Sequence, residues 1–297
     1  MKVLCFGSLN IDYTYKVDHF VQKGETLSSR SLNVFSGGKG LNQSIALAKA
    51  GAETYHAGAI GTDGQFLLVM RQQACVHTEH VAVLTDVRTG NAIIQNDEAG
   101  DNCILLYGGS NQAITREQVD RVLASFEEGD FIVLQNEINE LAYIVEQAHG
   151  KGMKIVLNPS PMNEIINALP LEHVDYFLLN EVEAGQILGT DEVEGDVLAK
   201  ALTERFPDAA IVLTLGSRGS VYVDRSMTHP QSAFRVKAVD TTAAGDTFTG
   251  YFIAGITKGL SIPETMAMAA KASAIAVTRA GAAPSIPTAD EVAQTVL

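Results

Sequence analysis

The sequence predicts an α/β fold of three layers, with a mostly parallel central sheet and a small second sheet projecting from it. Three observations carry this. Short continuous apolar runs recur along the chain, longer amphipathic segments separate most of them, and two stretches fit neither pattern. Apolar runs of strand length read as strands buried on both faces. Their alternation with helical segments implies a parallel sheet covered on both sides.

In chain order, Val3–Gly7 is the first such strand. The stretch 13–35 lacks helical periodicity and holds the alternating piece Tyr13–Val17. A glycine-rich segment then leads into a helical pattern with Ile45, Leu47 and Ala48 inward and Lys49 outward. His77 and His80 are spaced for one helix face, without a third ligand nearby in sequence. The stretch 91–107 again breaks the pattern, with pieces Ala92–Gln95 and Cys103–Tyr107 around a turn at 97–102. From there strands at Phe131–Gln135, Ile155–Asn158, Tyr176–Asn180 and Ile211–Leu215 alternate with helices. Those helices are Arg116–Phe126, Leu141–Gly150 and Val193–Phe206, and an apolar-rich run over 248–256 follows. Ligands of such sheets bind beyond the carboxyl ends of the strands. Asn158, Asn180 and Thr214 stand at or near those ends, so they are expected in one crevice.

Composition bounds the function. The 297 residues suit one large domain or a domain with an insertion, and 46% hydrophobic residues allow a substantial core. A net charge of -14, from 21 basic and 35 acidic residues, argues against a nucleic-acid surface. An anionic ligand must therefore be held locally, by backbone N–H groups, by Lys39 or Arg218, and by a metal ion. Three scattered cysteines, Cys5, Cys75 and Cys103, offer neither a disulfide framework nor metal-ligand spacing and fit a reducing cytosol. No apolar run approaches the roughly 18 residues of a membrane span. The first one is too short for a signal peptide.

Two segments carry chemistry. Asp240-Thr-Thr-Ala-Ala-Gly-Asp-Thr-Phe248 places small residues and Asp246 where a helix begins. A helix N-terminus is a ready anion site, and a carboxylate beside it can take a proton from a hydroxyl. An ordinary Asp N-cap gives the same pattern, and this segment alone leaves both readings open. Ser36-Gly-Gly-Lys-Gly-Leu-Asn-Gln-Ser44 also runs from glycines into a helix, and Asn42 can both donate to and accept from sugar hydroxyls. It is not a Walker loop, because Gly40 follows Lys39 where Ser or Thr would hold magnesium. No Gly-x-Gly-x-x-Gly follows the first strand, which disfavours a dinucleotide enzyme.

With these two segments, the ordered set Gly7–Asp12, Leu134–Glu137, Asn158–Pro161, Asn180–Glu183, Thr214–Gly219 and Ala276–Ser285 resembles the ribokinase family, the PfkB-type carbohydrate kinases. The resemblance spans nearly the whole chain. It implies a large nucleotide- and substrate-binding domain of residues 1–12, 36–90 and 108–297, with 13–35 and 91–107 as a β lid. In that family the lid covers the substrate and also pairs subunits, so it implies a homodimer. The implied reaction moves the γ-phosphoryl of ATP to a primary hydroxyl, with O5 of D-ribose as the first expectation.

Carried over residue by residue, the resemblance makes Asp246 the base. It makes the N–H groups of Ala243, Ala244, Gly245 and Asp246 the anion hole. Asn10, Asp12, Gly38, Lys39, Asn42 and Glu137 become sugar contacts, together with Asp246. Asn180, Glu183, Thr214, Gly216, Gly219 and Gly245 become nucleotide and magnesium contacts. For Asn180 and Glu183 a helix capping box is the competing reading, and both can hold. Asp240, Thr242, Ala276, Arg279, Gly281 and Ser285 match positions that bind a monovalent cation, expected to be potassium. Met266 and Met268 read as core or nucleotide-wall packing. Ala270 stands where some members carry a polar residue near adenine. Leu41 and Ser44 are bulkier than the alanines usual in this motif and could reshape the pocket. A nucleoside kinase, or a kinase for 2-deoxyribose or a fructose-type sugar, is the nearest alternative; Tyr13, Tyr15, Phe35 and Tyr107 could supply a base platform. A non-catalytic sugar- or nucleotide-binding regulator is the remote one, and the intact Asp246 weighs against it.

Overall fold

In the computed structural model, which describes residues 1–99 and 101–297, the chain forms two sheets. The strands up to the middle of the chain are β1 (Val3–Phe6), β2 (Asn10–Lys16), β3 (Ser31–Gly37), β4 (Thr54–Gly61), β5 (His77–Leu84), β6 (Gly90–Asn96) and β7 (Asn102–Tyr107). Then come β8 (Phe131–Gln135), β9 (Lys154–Asn158), β10 (Tyr176–Asn180), β11 (Ala210–Thr214), β12 (Ser220–Val223) and β13 (Thr228–Gln231). The helices are α1 (Lys39–Lys49), α2 (Gln65–Gln73), α3 (Arg116–Leu123), α4 (Leu141–Gly150) and α5 (Glu164–Asn167). They continue with α6 (Glu181–Leu188), α7 (Gly195–Arg205), α8 (Ala244–Thr257), α9 (Ile262–Ala276) and α10 (Ala289–Gln294).

The large sheet runs β13-β12-β11-β10-β9-β8-β1-β4-β5. It is parallel from β11 to β5, and the hairpin strands β12 and β13 close one edge antiparallel. Side chains alternate across it. Leu4, Phe6, Ile132 and Leu134 point into one core with α3, α4, α6 and α7. Val3, Cys5, Phe131 and Val133 point into a second core with α1, α2, α8 and α9. Two cores on two faces make three layers, as the alternation of runs implies.

The second sheet runs β3-β2-β6-β7. Within it β2 pairs antiparallel with β3 and parallel with β6. The expected turn at 97–102 includes Gly100, which lies outside the described residues; Asn96 and Asn102 pair across it.

Several elements differ from the sequence reading. His77 and His80 lie on strand β5, not on a helix, and His77 stacks on Tyr55 with ring centroids 4.5 Å apart. Mixed polar and apolar spacing hid β5, while glycines and a buried His56 hid β4. Lys49 does not point outward: its Nζ donates to the Ile286 carbonyl at 2.6 Å. The Thr214–Gly219 loop is both a strand end and a hairpin, since β11 pairs with β12 immediately after it.

Candidate active site

Two helix starts meet at the carboxyl ends of the large sheet. Gly38 caps α1 with φ +94°, a conformation that disfavours any side chain, and so turns β3 sharply into the helix. The helices α1 and α8 then pack in close contact, because Gly250 faces Ala46. A Cβ on Gly250 would stand 2.4 Å from the Ala46 Cβ and 2.7 Å from the Leu47 nitrogen. Asn42 lies one turn before Ala46, and Asp246 one turn before Gly250. The close crossing therefore brings these two side chains together. Asn42 Nδ2 donates to Asp246 Oδ2 at 3.0 Å, and Gln43 Nε2 donates to Asp246 Oδ1 at 2.9 Å.

Asp246 is not an N-cap. Ala243 holds that position and makes no side-chain cap bond, which leaves the buried Asp246 carboxylate for other work. The Ala244 N–H turns back to the Thr241 carbonyl at 3.1 Å, so it is engaged inside the turn rather than offered to a ligand. The N–H groups of Gly245 and Asp246 belong to the first helical turn, where no earlier helix carbonyl reaches them. A Cβ on Gly245 would meet nothing within 4 Å, so that face is open.

Lys39, Asn158, Asn180, Glu183, Thr214, Gly245 and Asp246 share the lining of a crevice of about 200 Å³. The expected convergence of the strand ends is thus observed. Beside it lies a cavity of about 360 Å³ that shares Thr214 and Gly245 with the crevice and is also lined by Gly216, Gly219 and Ala244. Phe234, Val236, Ala238, Phe248, Ala270 and Val277 form its apolar walls. The loop 232–241 supplies much of that wall, and sequence reading missed it because the loop carries no periodic pattern. Ala270 belongs to this wall, whereas Met266 is fully buried in the core.

At the other end, Glu137 anchors several pieces. Its Oε2 accepts from the Lys39 N–H at 2.8 Å and from the Ser8 hydroxyl. Burial pushes the Glu137 carboxyl up against these bonds. Asp12 is pushed up to about 6, by burial first and then by the Glu137 charge. Burial works against the charge on Lys39, but Asp246, Glu137 and Glu183 together hold its ammonium above the usual range. Asn10 Oδ1 accepts from Asn111 Nδ2 at 2.7 Å. Asn42 Oδ1 is buried and has no partner among the described residues.

Asn180 and Glu183 form a complete capping box, with bonds of 2.9 and 3.0 Å, while both line the crevice. Thr214 sends its hydroxyl proton to the Leu179 carbonyl at 3.3 Å. Arg218 is exposed and paired with Glu181, so it does not offer a free charge to an anion. Leu41 and Ser44 are fully buried, and neither lines the described cavities.

The predicted cation residues assemble from two loops. Asp240 Oδ1 accepts from the Thr242 N–H at 2.9 Å and from its hydroxyl at 2.5 Å, while Oδ2 accepts from the Gly281 N–H at 2.9 Å. The Ala276 carbonyl accepts from the Arg279 N–H at 3.0 Å, and the Arg279 side chain leaves toward Glu291. Ser285 is buried, with its hydroxyl proton on the Ala282 carbonyl at 2.8 Å.

Sequence reading missed Ser8, Gln43, Asn111 and Gln135. Ser8, Gln43 and Gln135 lie inside motifs already quoted, but polar residues within buried elements carry no periodic signal.

The sequence profile of the pfkB family carbohydrate kinases matches residues 1–289. A ribokinase of Staphylococcus aureus (strain COL) is 35% identical, with 99% of each chain covered. The crystal structure of a ribokinase from Cryptococcus neoformans in complex with ADP superimposes with a TM-score of 0.89 at 30% identity, over 99% of each chain. The Arabidopsis thaliana ribokinase complexed with ribose and ATP gives 0.87 at 27% identity, over 99% of this chain and 97% of that one.

Proposed function

The chain belongs to the pfkB family of carbohydrate kinases, phosphotransferases with an alcohol acceptor, and from that premise we propose that it is an ATP-dependent ribose kinase making ribose 5-phosphate. One observation carries the reading. A buried carboxylate, Asp246, lines a polar crevice at an open helix N-terminus, and its neighbour Gly245 also lines an apolar cavity large enough for a nucleobase.

ATP would place its base against Phe234, Val236 and Ala270 and its phosphates along the Gly216–Gly219 turn toward Gly245. The sugar would lie over Asn42 and Lys39. Asp12 would accept two adjacent hydroxyls, as a carboxylate with several lone pairs can. The unpartnered Asn42 Oδ1 offers a further acceptor for a sugar hydroxyl. Asn10, Gly38 and Glu137 complete that end. As the sugar O5 bonds to the γ-phosphorus and the bridging β–γ bond breaks, Asp246 takes the O5 proton and ADP leaves. The N–H groups of Gly245 and Asp246, with Lys39, face the charge of the transferring group.

Magnesium bound with ATP would neutralise phosphate charge. The Glu183 Oε1 is not used by the capping box, and with Asn180 it suits water-mediated contact to that ion. Potassium would suit the loops of Asp240, Thr242, Ala276, Arg279, Gly281 and Ser285, where most ligands would be backbone carbonyls. The tie from Asp240 to Gly281 already holds these loops together.

Residues 13–35 and 91–107 act in this reading as a lid on the domain 1–12, 36–90 and 108–297, although the lid's sheet itself reaches back to Asn10 and Gly90 and on to Gly37. Excluding water there stops ATP from being hydrolysed. The lid would also pair two copies. Leu32, Val34, Ile93, Leu105 and Tyr107 share one face of its sheet by register and are all exposed. Three of the candidate base platforms, Tyr13, Tyr15 and Tyr107, lie on that same face, opposite to Asp12. Only Phe35 shares the Asp12 face, which favours a sugar over a nucleoside. A reducing cytosol is the compartment this implies; no described helix is long and apolar enough to cross a membrane.

ADP release with ATP, magnesium and potassium tests the reading across ribose, 2-deoxyribose, fructose and nucleosides. We expect kcat/KM for ribose to exceed the others by at least about tenfold. A nucleoside in first place would overturn the substrate while keeping the mechanism.

A further inference from the structure

A directional chain of side-chain amides, buried at Gln43 and Gln135 and half-buried at Asn158, ends on Asp246. It begins at the Leu178 carbonyl, which can only accept. Asn158 Nδ2 donates there at 2.8 Å, so Asn158 Oδ1 must face the other way, toward Gln43. Gln43 Nε2 donates to that oxygen at 3.2 Å and to Asp246 Oδ1 at 2.9 Å. On its far side, Gln43 Oε1 accepts from Gln135 Nε2 at 2.7 Å. Turning the Gln43 amide over would set its oxygen against two oxygens and its nitrogen against a nitrogen. A side-chain amide is free to choose either orientation until its neighbours decide. Here the Leu178 carbonyl, acting through Asn158, and the Asp246 carboxylate leave one choice, and Gln135 donates to the Gln43 oxygen that this choice turns toward it.

Gln43 and Gln135 are both fully buried, and neither lines the crevice. Gln135 fits only because residue 7 is glycine: a Cβ there would stand 2.2 Å from Gln135 Oε1. Gln43 leaves α1 on the same side as Lys39, one turn earlier, and as its neighbour Asn42. One helix thus supplies a crevice side chain and two donors to the Asp246 carboxylate.

We propose that Gln43, locked by Gln135 and Asn158, is a positioning residue for phosphoryl transfer. It fixes the rotation of the Asp246 carboxylate before substrate arrives. With one donor on each oxygen, Asp246 keeps a second lone pair on each to receive the sugar proton. This rests on Asp246 being the base, as proposed above.

The test compares Gln43→Leu and Gln135→Leu with Asp246→Asn, using ribose and ATP, and records kcat and KM separately. Binding of a non-hydrolysable ATP analogue reports folding in each variant. Gln43→Leu is expected to lower kcat about 10- to 100-fold, the loss typical of one charge-assisted hydrogen bond. Its KM for ribose should stay within about twofold, because Gln43 does not line the crevice. Gln135→Leu should lower kcat in the same direction but less. Analogue binding should stay within about twofold in all three, since none of these side chains packs on the base cavity. Wild-type kcat in both Leu variants, with any loss confined to KM, would overturn the positioning role while Asp246→Asn stays inactive. Near-wild-type turnover in Asp246→Asn would overturn the base assignment itself, and this proposal with it.

Discussion

The two sheets use similar residues to opposite ends. In the large sheet Val3, Leu4, Cys5 and Phe6 of β1 are wholly buried, as are all five residues of β8. In the small sheet β7 reads Asn-Cys-Ile-Leu-Leu-Tyr, just as apolar, yet all of it is exposed, with Leu105 at 68% and Leu106 at 58%. Burying such side chains is what stabilises a strand, so β7 gains little from its own chain. An exposed apolar sheet of this size marks a surface awaiting substrate, closure or a second copy. The chemistry divides along the same line. Asp246, Asn42 and Lys39 stand on helices clamped to the large sheet, whereas Asp12 stands on β2 of the small one. On the proposed reading, the rigid part holds the phosphoryl-transfer groups and one side of the sugar, and the small sheet adds Asp12 to the sugar's other side.

The largest break of that division is Asp246→Asn. It keeps the shape and removes the base, so kcat should fall by about 10³-fold or more while ATP-analogue binding stays nearly constant. Steady-state rates beside calorimetric titration separate the two.

Asp12→Asn should act on binding instead. We expect the KM for sugar to rise about 10- to 100-fold with a smaller change in kcat. Stability should move the other way. The fold raises the Asp12 carboxyl to about 6, mainly by burial, so its folded form holds a proton more tightly than the unfolded chain does. That contribution is full below the unfolded value of about 4 and is lost as pH rises through about 6. At pH 7 the asparagine variant should therefore gain on the order of 1–3 kcal/mol, and at pH 4 almost nothing. Thermal melts at the two pH values check the sign. In the wild type, sugar KM should also climb as pH drops below about 6.

Leu105→Asp sharpens the lid side. It places a charge on the exposed apolar face and should halve the mass seen by light scattering, with little change in Tm. An unchanged mass would place any assembly elsewhere.

The smallest effect on activity belongs to the rigid side. Arg71 on α2 is fully buried, and none of its guanidinium nitrogens has a partner among the described residues. Burial pulls it down to about 9. An uncompensated buried cation costs stability, so Arg71→Met should leave kcat unchanged and stabilise by roughly 1–4 kcal/mol. A fall in Tm would show that Arg71 holds an acceptor of its own.

The same contrast explains what was legible in the sequence. Strands such as Phe131–Gln135 could be read because burial on both faces demands an unbroken apolar run. The strand β4 could not, since Gly58, Gly61 and the buried His56 interrupt it. Glycine-to-helix junctions exposed Asp246, Asn42 and Lys39, because such junctions have a local grammar of small residues and caps. Gln43 and Gln135 have none: their roles exist only once α1, α8 and β8 are packed together. The second sheet was legible as broken periodicity, but β3 escaped notice, because five of its seven residues are exposed and follow no burial rhythm.

The central claim is that a ribose C5 hydroxyl meets the γ-phosphoryl at Asp246. Phosphorus NMR of the product formed from ATP and ribose carrying ¹³C at C5 tests it most directly. The account predicts a new phosphate signal split by coupling to that carbon, absent when Asp246→Asn replaces the wild type. A product phosphorylated at C1, or an equal yield from the variant, would contradict it.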